Sequence, residues 1–328
     1  MSTFRDIDIA LRVVRLAVRA RGWRRGGGPQ NRWPATPAYH KVFVVGCPRS
    51  GTTWVRRLLA GHPRIVTGPE SHAYPQVLGT FTETGRRGIT GWRHVLDRYR
   101  RTDNRGLDVG LPRWVDEPTL LELITAALAD HPGDDREAAD RVIRAVFDAY
   151  VGTHATSADP VLLEKTPQHL FWAEHILRRD PDARIVEVLR DGRDVCVSME
   201  MRARTQFWAL KGRAEQVATW VSYAQEGLRL RSDPTLAERM LLVRFEDVKA
   251  APVAQAERLL HFMGLDATSE EIERAIDAVS IDRHPRAGAG RAARKGAVGD
   301  WREHFSEADV ALFEREAGEV FERVGYGW

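Results

Sequence analysis

Lysine is nearly missing from this chain. Five lysines, at positions 41, 165, 211, 249 and 295, stand against 44 arginines in 328 residues. Cysteine is scarcer still, with Cys47 and Cys196 alone, so no disulfide framework is expected and a reducing compartment is the consistent setting. No apolar run is long enough to span a bilayer. The net charge of +3 is too small to argue for a nucleic-acid partner. Asp6, Asp8 and the arginines among them argue against a secretory signal, and a cytoplasmic protein is expected.

A further absence lies inside a motif. Gly46-Cys47-Pro48-Arg49-Ser50-Gly51-Thr52-Thr53 follows the apolar run Val42-Phe43-Val44-Val45 and opens an apolar-periodic segment from Trp54 to Ala60. That order reads as strand, glycine loop, helix, the context in which a phosphate-binding loop is credible. The two glycines keep the spacing of a nucleotide-triphosphate loop, yet Thr52 stands where lysine should follow Gly51. The cation sits within the loop instead, as Arg49. Backbone N–H groups of such a turn and of the helix start converge on an anion. Ser50, Thr52 and Thr53 add hydroxyl donors, and Arg49 adds a permanently charged fork. Without the lysine that reaches the β- and γ-phosphates, the loop suits ATP or GTP chemistry poorly and points to a sulfuryl donor.

A second strand-to-helix turn follows the apolar strand Arg184 to Leu189. Arg190 falls at the strand's C-terminal end, where open parallel sheets place ligands. Ser198 lies about two turns into the next helix. Taken alone, Arg190 to Asp194 has two readings: with Ser198, a grip for a second phosphate, or a charged helix start with Asp191 or Asp194 as its N-terminal acid. A third stretch, Arg294-Lys295-Gly296-Ala297-Val298-Gly299-Asp300-Trp301, closes a basic, small-residue run from Arg283 that an anion could order. No His/Cys/Asp/Glu group shows metal-ligand spacing, so no metal is expected.

Together the three motifs, from about Lys41 to Trp301, resemble the sulfotransferases that use 3′-phosphoadenosine 5′-phosphosulfate (PAPS). The resemblance implies a P-loop-like α/β fold of three layers, a central parallel sheet with helices on both faces. It implies that Arg49, Ser50, Gly51, Thr52, Thr53 and Trp54 hold the 5′-phosphosulfate end, with Trp54 on or near the adenine. Arg190 and Ser198 would bind the 3′-phosphate, and Arg294, Lys295 and Gly296 would fold over the nucleotide. Phe245 stands where many relatives carry a tyrosine near the base. Lys165, in Glu164-Lys165-Thr166-Pro167, matches a carbohydrate-type motif whose lysine contacts the sulfuryl group. Pro167 replaces the histidine base of the small-molecule branch. The segment His62 to Ser71 resembles protein-tyrosine sulfotransferases, in which a glutamate is the base, and that role falls on Glu70. The product nucleotide would be 3′-phosphoadenosine 5′-phosphate (PAP). The acceptor expected is a small molecule or glycan hydroxyl, with glycan, glycolipid or secondary metabolite favoured. His72, two residues from Glu70, is either a positioner of the acceptor or an ordinary loop histidine, and His169, two residues after Pro167, is the other histidine that could assist.

Strands are predicted at 41–46, 64–67, 161–164, 184–189 and 240–245. Helices are predicted at 120–129, 136–151, 214–231, 253–263 and 307–324. The alternation implies a parallel sheet covered by helices. Residues 35–328 read as one domain. Residues 1–34 read as a basic amphipathic helix and a Gly/Pro linker, which docks on protein or, through residues 4–25, lies on an anionic membrane. The weakly periodic segment 79–113 and the segment 205–213, with Phe207 and Trp208, are candidate acceptor walls. Two other functions compete: a magnesium-dependent P-loop kinase, and a non-catalytic nucleotide- or membrane-binding protein.

Overall fold

The computed structural model describes residues 36–83, 85–104, 108–204, 210–279 and 297–328. The expected N-terminal helix, Phe207 and Trp208, and Arg294, Lys295 and Gly296 lie outside the described residues. In chain order the elements are β1 His40–Val45, α1 Thr52–Leu59, β2 Ile65–Thr67, α2 Ala73–Gln76, α3 Leu78–Glu83 and α4 Gly88–Asn104. There follow α5 Glu117–Asp130, α6 Asp135–His154, β3 Val161–Lys165, α7 Ala173–Arg179, β4 Arg184–Leu189 and α8 Gly192–Ala203. The last are α9 Arg213–Arg231, α10 Pro234–Ala237, β5 Met240–Arg244, α11 Phe245–Ala250, α12 Pro252–Phe262, α13 Ser269–Val279 and α14 Glu307–Arg323. The strands form one five-stranded sheet in the order β2-β3-β1-β4-β5, the α/β architecture expected.

All five predicted strands form, each within a residue or so of its expected bounds. Val42 to Val45 of β1 are all buried, as are Ile185, Val186 and Val188 of β4. Strands buried on both faces need such unbroken apolar runs, and parallel pairing supplies that burial. β1 pairs parallel to β4 with Val42 opposite Arg184 and Val45 opposite Glu187. β4 pairs parallel to β5 with Ile185 opposite Met240 and Leu189 opposite Arg244.

Contacts group the described residues into two compact units, those within Met1–Tyr39 and Val66–Glu164, and those within His40–Ile65 and Lys165–Trp328. In the first unit, the weakly periodic segment forms α3 and α4. The buried face of α4 is Gly91, Trp92, Val95, Leu96 and Tyr99, a helical stripe that its many arginines and threonines obscure in the sequence. In the second unit α9 packs on α8 and α14. Trp220 of α9 is fully buried beside Phe313 and Phe321 of α14, with ring centroids 5.7 and 5.8 Å away.

Gly227 of α9 is where a side chain would strike the sheet. A Cβ there would land on the carboxylate of Glu187, which is 2% exposed and paired with Arg231. Replacing Gly227 by Ala should therefore destabilise the protein by about 1–3 kcal/mol through overpacking. Thermal unfolding checks this, and an unchanged Tm would mean that the Glu187–Arg231 pair yields without cost.

Candidate active site

The loop after β1 is shaped by two glycines and one strained arginine. Gly46 has φ +138, and a Cβ there would strike the carbonyl of Val188 on β4. Gly51 has φ +100, and a Cβ there would run into the ring of Phe245. Both positions thus combine a backbone state that favours glycine with a close approach. Arg49, between them, holds φ 77 despite carrying a side chain. Ser50 N–H closes the turn on Cys47 O at 3.0 Å, and α1 starts at Thr52. The first N–H groups of a helix have no intrahelical acceptor, so this end presents donors to an anion.

Arg49, Arg190 and Ser198 are brought together. Arg49 Nε donates to Ser198 Oγ at 3.1 Å. Arg190, 6% exposed, donates through Nη1 to Arg49 O at 3.4 Å and through Nη2 to Ala297 O at 2.8 Å. Its guanidinium carbon lies 4.6 Å from the centroid of the Phe245 ring. Phe245 in turn meets Trp54 edge to face at 6.0 Å. Lys165 at the end of β3 is 4% exposed and donates to Thr53 Oγ1 at 3.0 Å. The cofactor-binding residues read from the sequence within the described part of this unit thus form one connected set.

Two buried atoms of that set lack a hydrogen-bond partner among the described residues, Ser50 Oγ and Arg190 Nε. A buried orphan donor costs about 1–3 kcal/mol, and a ligand oxygen would satisfy it. The donors, the two arginines and the aromatic pair Trp54–Phe245 fit an anionic nucleotide.

Several residues were missed by sequence reasoning. Asp191 does cap α8, accepting from Arg193 N–H at 2.9 Å. Asp194 does something else: it accepts from Gly299 N–H at 2.8 Å and Trp301 N–H at 2.9 Å and lies 3.6 Å from Arg190. Burial raises its pKa, opposed by those two N–H groups and by Arg190. Asp194 thereby fixes the C-terminal part of the third motif. Its spacing of four from Arg190 on a helix start was the available signal. Arg193 forks onto Asp191 at 2.7 Å and lies over Trp301 at 4.0 Å. Lys249, four residues beyond Phe245, places Nζ 5.7 Å from the Trp54 ring centroid. Glu246 accepts from Asp191 N–H at 2.9 Å and from Tyr326 Oη at 2.8 Å, which ties α11 to the start of α8.

Other candidates resolve more simply. Cys47 and Cys196 are free and buried, and burial holds both thiols up, that of Cys196 at about 12. They fill space and are not nucleophiles. His169 is fully buried, edge-on to Phe43 at 6.0 Å. Asp300, Glu303 and His304 do come within reach of one another, though no spacing in the sequence had suggested it. His304 lies 3.6 Å from Asp300, an ordinary partly exposed pairing.

Glu70 belongs to the first unit. Its Oε2 lies 3.2 Å from His72 Nε2, and its carbonyl accepts from Gly110 N–H at 2.6 Å.

A model of the sulfotransferase family matches residues 41–270. Human protein-tyrosine sulfotransferase 1 is 26% identical over 174 residues, 52% of this chain and 37% of that protein. Protein-tyrosine sulfotransferase A of Caenorhabditis elegans is 22% identical over 253 residues, 73% of this chain and 57% of that protein. The chain thus spans less than two thirds of the length of both these relatives. Among solved structures, a mouse sulfotransferase complexed with PAP aligns at TM-score 0.49 and 14% identity, over 86% of this chain and 85% of that one. The family match covers well over half of the sequence and includes the glycine loop, Lys165, Arg190 and Ser198, and the chain belongs to the sulfotransferase family.

Proposed function

We propose that the protein transfers a sulfuryl group from PAPS to an acceptor hydroxyl with Glu70 as general base. The observation that carries this is the cluster Arg49–Arg190–Ser198 with the orphaned buried donors Ser50 Oγ and Arg190 Nε. PAPS has two anionic ends separated by a nucleoside. The loop and the helix start offer donors for one, and Arg190 with Ser198 for the other. Trp54 and Phe245 offer apolar faces for the base. The third motif, Arg294 to Gly296, completes the reading as cover for the nucleotide.

In the proposed reaction, the acceptor oxygen attacks sulfur opposite the bond to the bridging phosphate oxygen. That bond breaks, its electron pair leaves with PAP, and the acceptor proton passes to Glu70. Arg49 and Lys165 neutralise charge on the bridging and sulfuryl oxygens, which is worth most where water is excluded. Lysine suits the sulfuryl oxygen, since a compact mobile charge can follow the group in flight. The relatives named protein-tyrosine sulfotransferases bring a tyrosine phenol forward as acceptor. A glycan, glycolipid or secondary-metabolite hydroxyl remains the expectation from the Glu-Lys-Thr-Pro motif. A tyrosine peptide and a glycoside offered side by side with labelled PAPS decide between them.

Calorimetric titration with PAP, AMP and ATP–Mg²⁺ tests the cosubstrate. PAP should bind more tightly than AMP, and preference for ATP–Mg²⁺ would sink the reading. Replacing Arg190 by Ala should weaken PAP about 10- to 100-fold, the worth of a charge-assisted hydrogen bond. AMP should hardly change, and equal losses for both nucleotides would remove the 3′-phosphate from Arg190. Replacing Glu70 by Gln should lower kcat by about 10²- to 10⁴-fold, the usual worth of a general base. PAP affinity should be kept, and full turnover in that variant would move the base elsewhere.

A further inference from the structure

The stretch from Thr67 to Ala73 in the first unit is pinned at nearly every residue. Thr67 Oγ1 donates to Leu163 O at 2.7 Å, and Tyr150 Oη donates to Thr67 O at 3.4 Å. Gly68 lies against Tyr150 and Trp114, where a Cβ would meet Tyr150 Oη at 2.8 Å. Trp114 Nε1–H donates to Pro69 O at 3.1 Å. Gly110 N–H holds the carbonyl of Glu70. Ser71 N–H and Oγ both donate to Glu164 Oε1, at 3.1 and 2.8 Å, and both residues are fully buried. Ser71 Oγ then accepts from Ala73 N–H at 3.2 Å, the start of α2. A second tie comes from α4, where Arg98 donates to Pro75 O at 2.7 Å.

One residue in this stretch is conformationally costly. Among the described residues, the non-glycine residues at positive φ are Arg49, in the loop, and His72, at φ 49. A side chain resists that region, and it persists where its surroundings over-determine it. The turn at His72 places its Nε2 3.2 Å from Glu70 Oε2, with the two side chains 20% and 25% exposed. An ionised carboxylate only accepts hydrogen bonds, so the hydrogen between them sits on Nε2.

We propose that His72 is the positioning residue of Glu70: its Nε2–H donates to Oε2 and fixes the carboxylate in the rotamer that takes the acceptor proton. The proposal rests on the reading of Glu70 as general base. A directed hydrogen bond narrows the rotamers that a carboxylate samples, and a base held in one spends more of its time in attacking geometry. Ser71, clamped to Glu164 between the two, makes Glu70 and His72 move as one piece. The anchor and the strained residue thus serve one end, a fixed carboxylate on a connecting segment.

The informative variant is His72→Gly. Glycine takes positive φ without penalty, so Tm should hold or rise while the imidazole is lost. With labelled PAPS and 4-nitrophenol or a tyrosine peptide as acceptor, kcat should fall about 10- to 100-fold, the scale of a misplaced reacting group. The KM for PAPS should stay, and added imidazole should restore part of the rate. A readout free of any acceptor is the Nε2 resonance of ¹⁵N-histidine-labelled full chain, assigned by its loss in His72→Gly. It should move when Glu70 is replaced by Gln. A stationary resonance, or wild-type kcat in His72→Gly, overturns the proposal. If Glu70→Gln keeps full turnover while the resonance moves, the pair exists but the base assignment has failed, and the positioning role falls with it.

Discussion

A single guanidinium ties the three motifs of the second unit to one another. Arg190 stands where β4 gives way to α8, and its buried head touches something from each of the three motifs. The carbonyl of Arg49 comes from the glycine loop, Asp194 from its own helix and the carbonyl of Ala297 from the third motif. Phe245, from the end of β5, supplies the face beneath it. A desolvated cation is tolerable only with such a ring of oxygens and a π-face. The parallel sheet brings these segments to the same end, because parallel strands deliver their C-terminal turns side by side.

The sheet was legible because parallel strands buried on both faces need continuous apolar runs, and Val42 to Val45 is one. The long helices were legible from their periodicity. α4 was not, although Trp92, Val95, Leu96 and Tyr99 recur at helical spacing. Four arginines between 86 and 98 and the flanking glycines and threonines hide that stripe by composition. α13 escaped as well, its apolar positions being few among acids.

At the site, Arg49, Arg190 and Ser198 were readable because a glycine loop and a strand-end arginine announce themselves by local order. Asp194, Glu246 and Lys249 were not. Their roles depend on what folds against them: two main-chain N–H groups, the start of α8, and the ring of Trp54. Local sequence shows that an acid follows an arginine by one turn, and nothing in it shows which backbone will arrive. Cys47 and Cys196 also lie inside the first two motif segments, where burial keeps their thiols protonated.

Two of the oxygens around Arg190 belong to the main chain. A main-chain carbonyl survives every substitution, so residues 49 and 297 can drift without removing an acceptor from that ring. Changes of chain length are another matter. An insertion or deletion beside either carbonyl would carry it out of reach while leaving every named side chain in place. For holding Arg190, the length of the segments flanking Arg49 and Ala297 therefore counts for more than their spelling, the reverse of what surface connections usually allow.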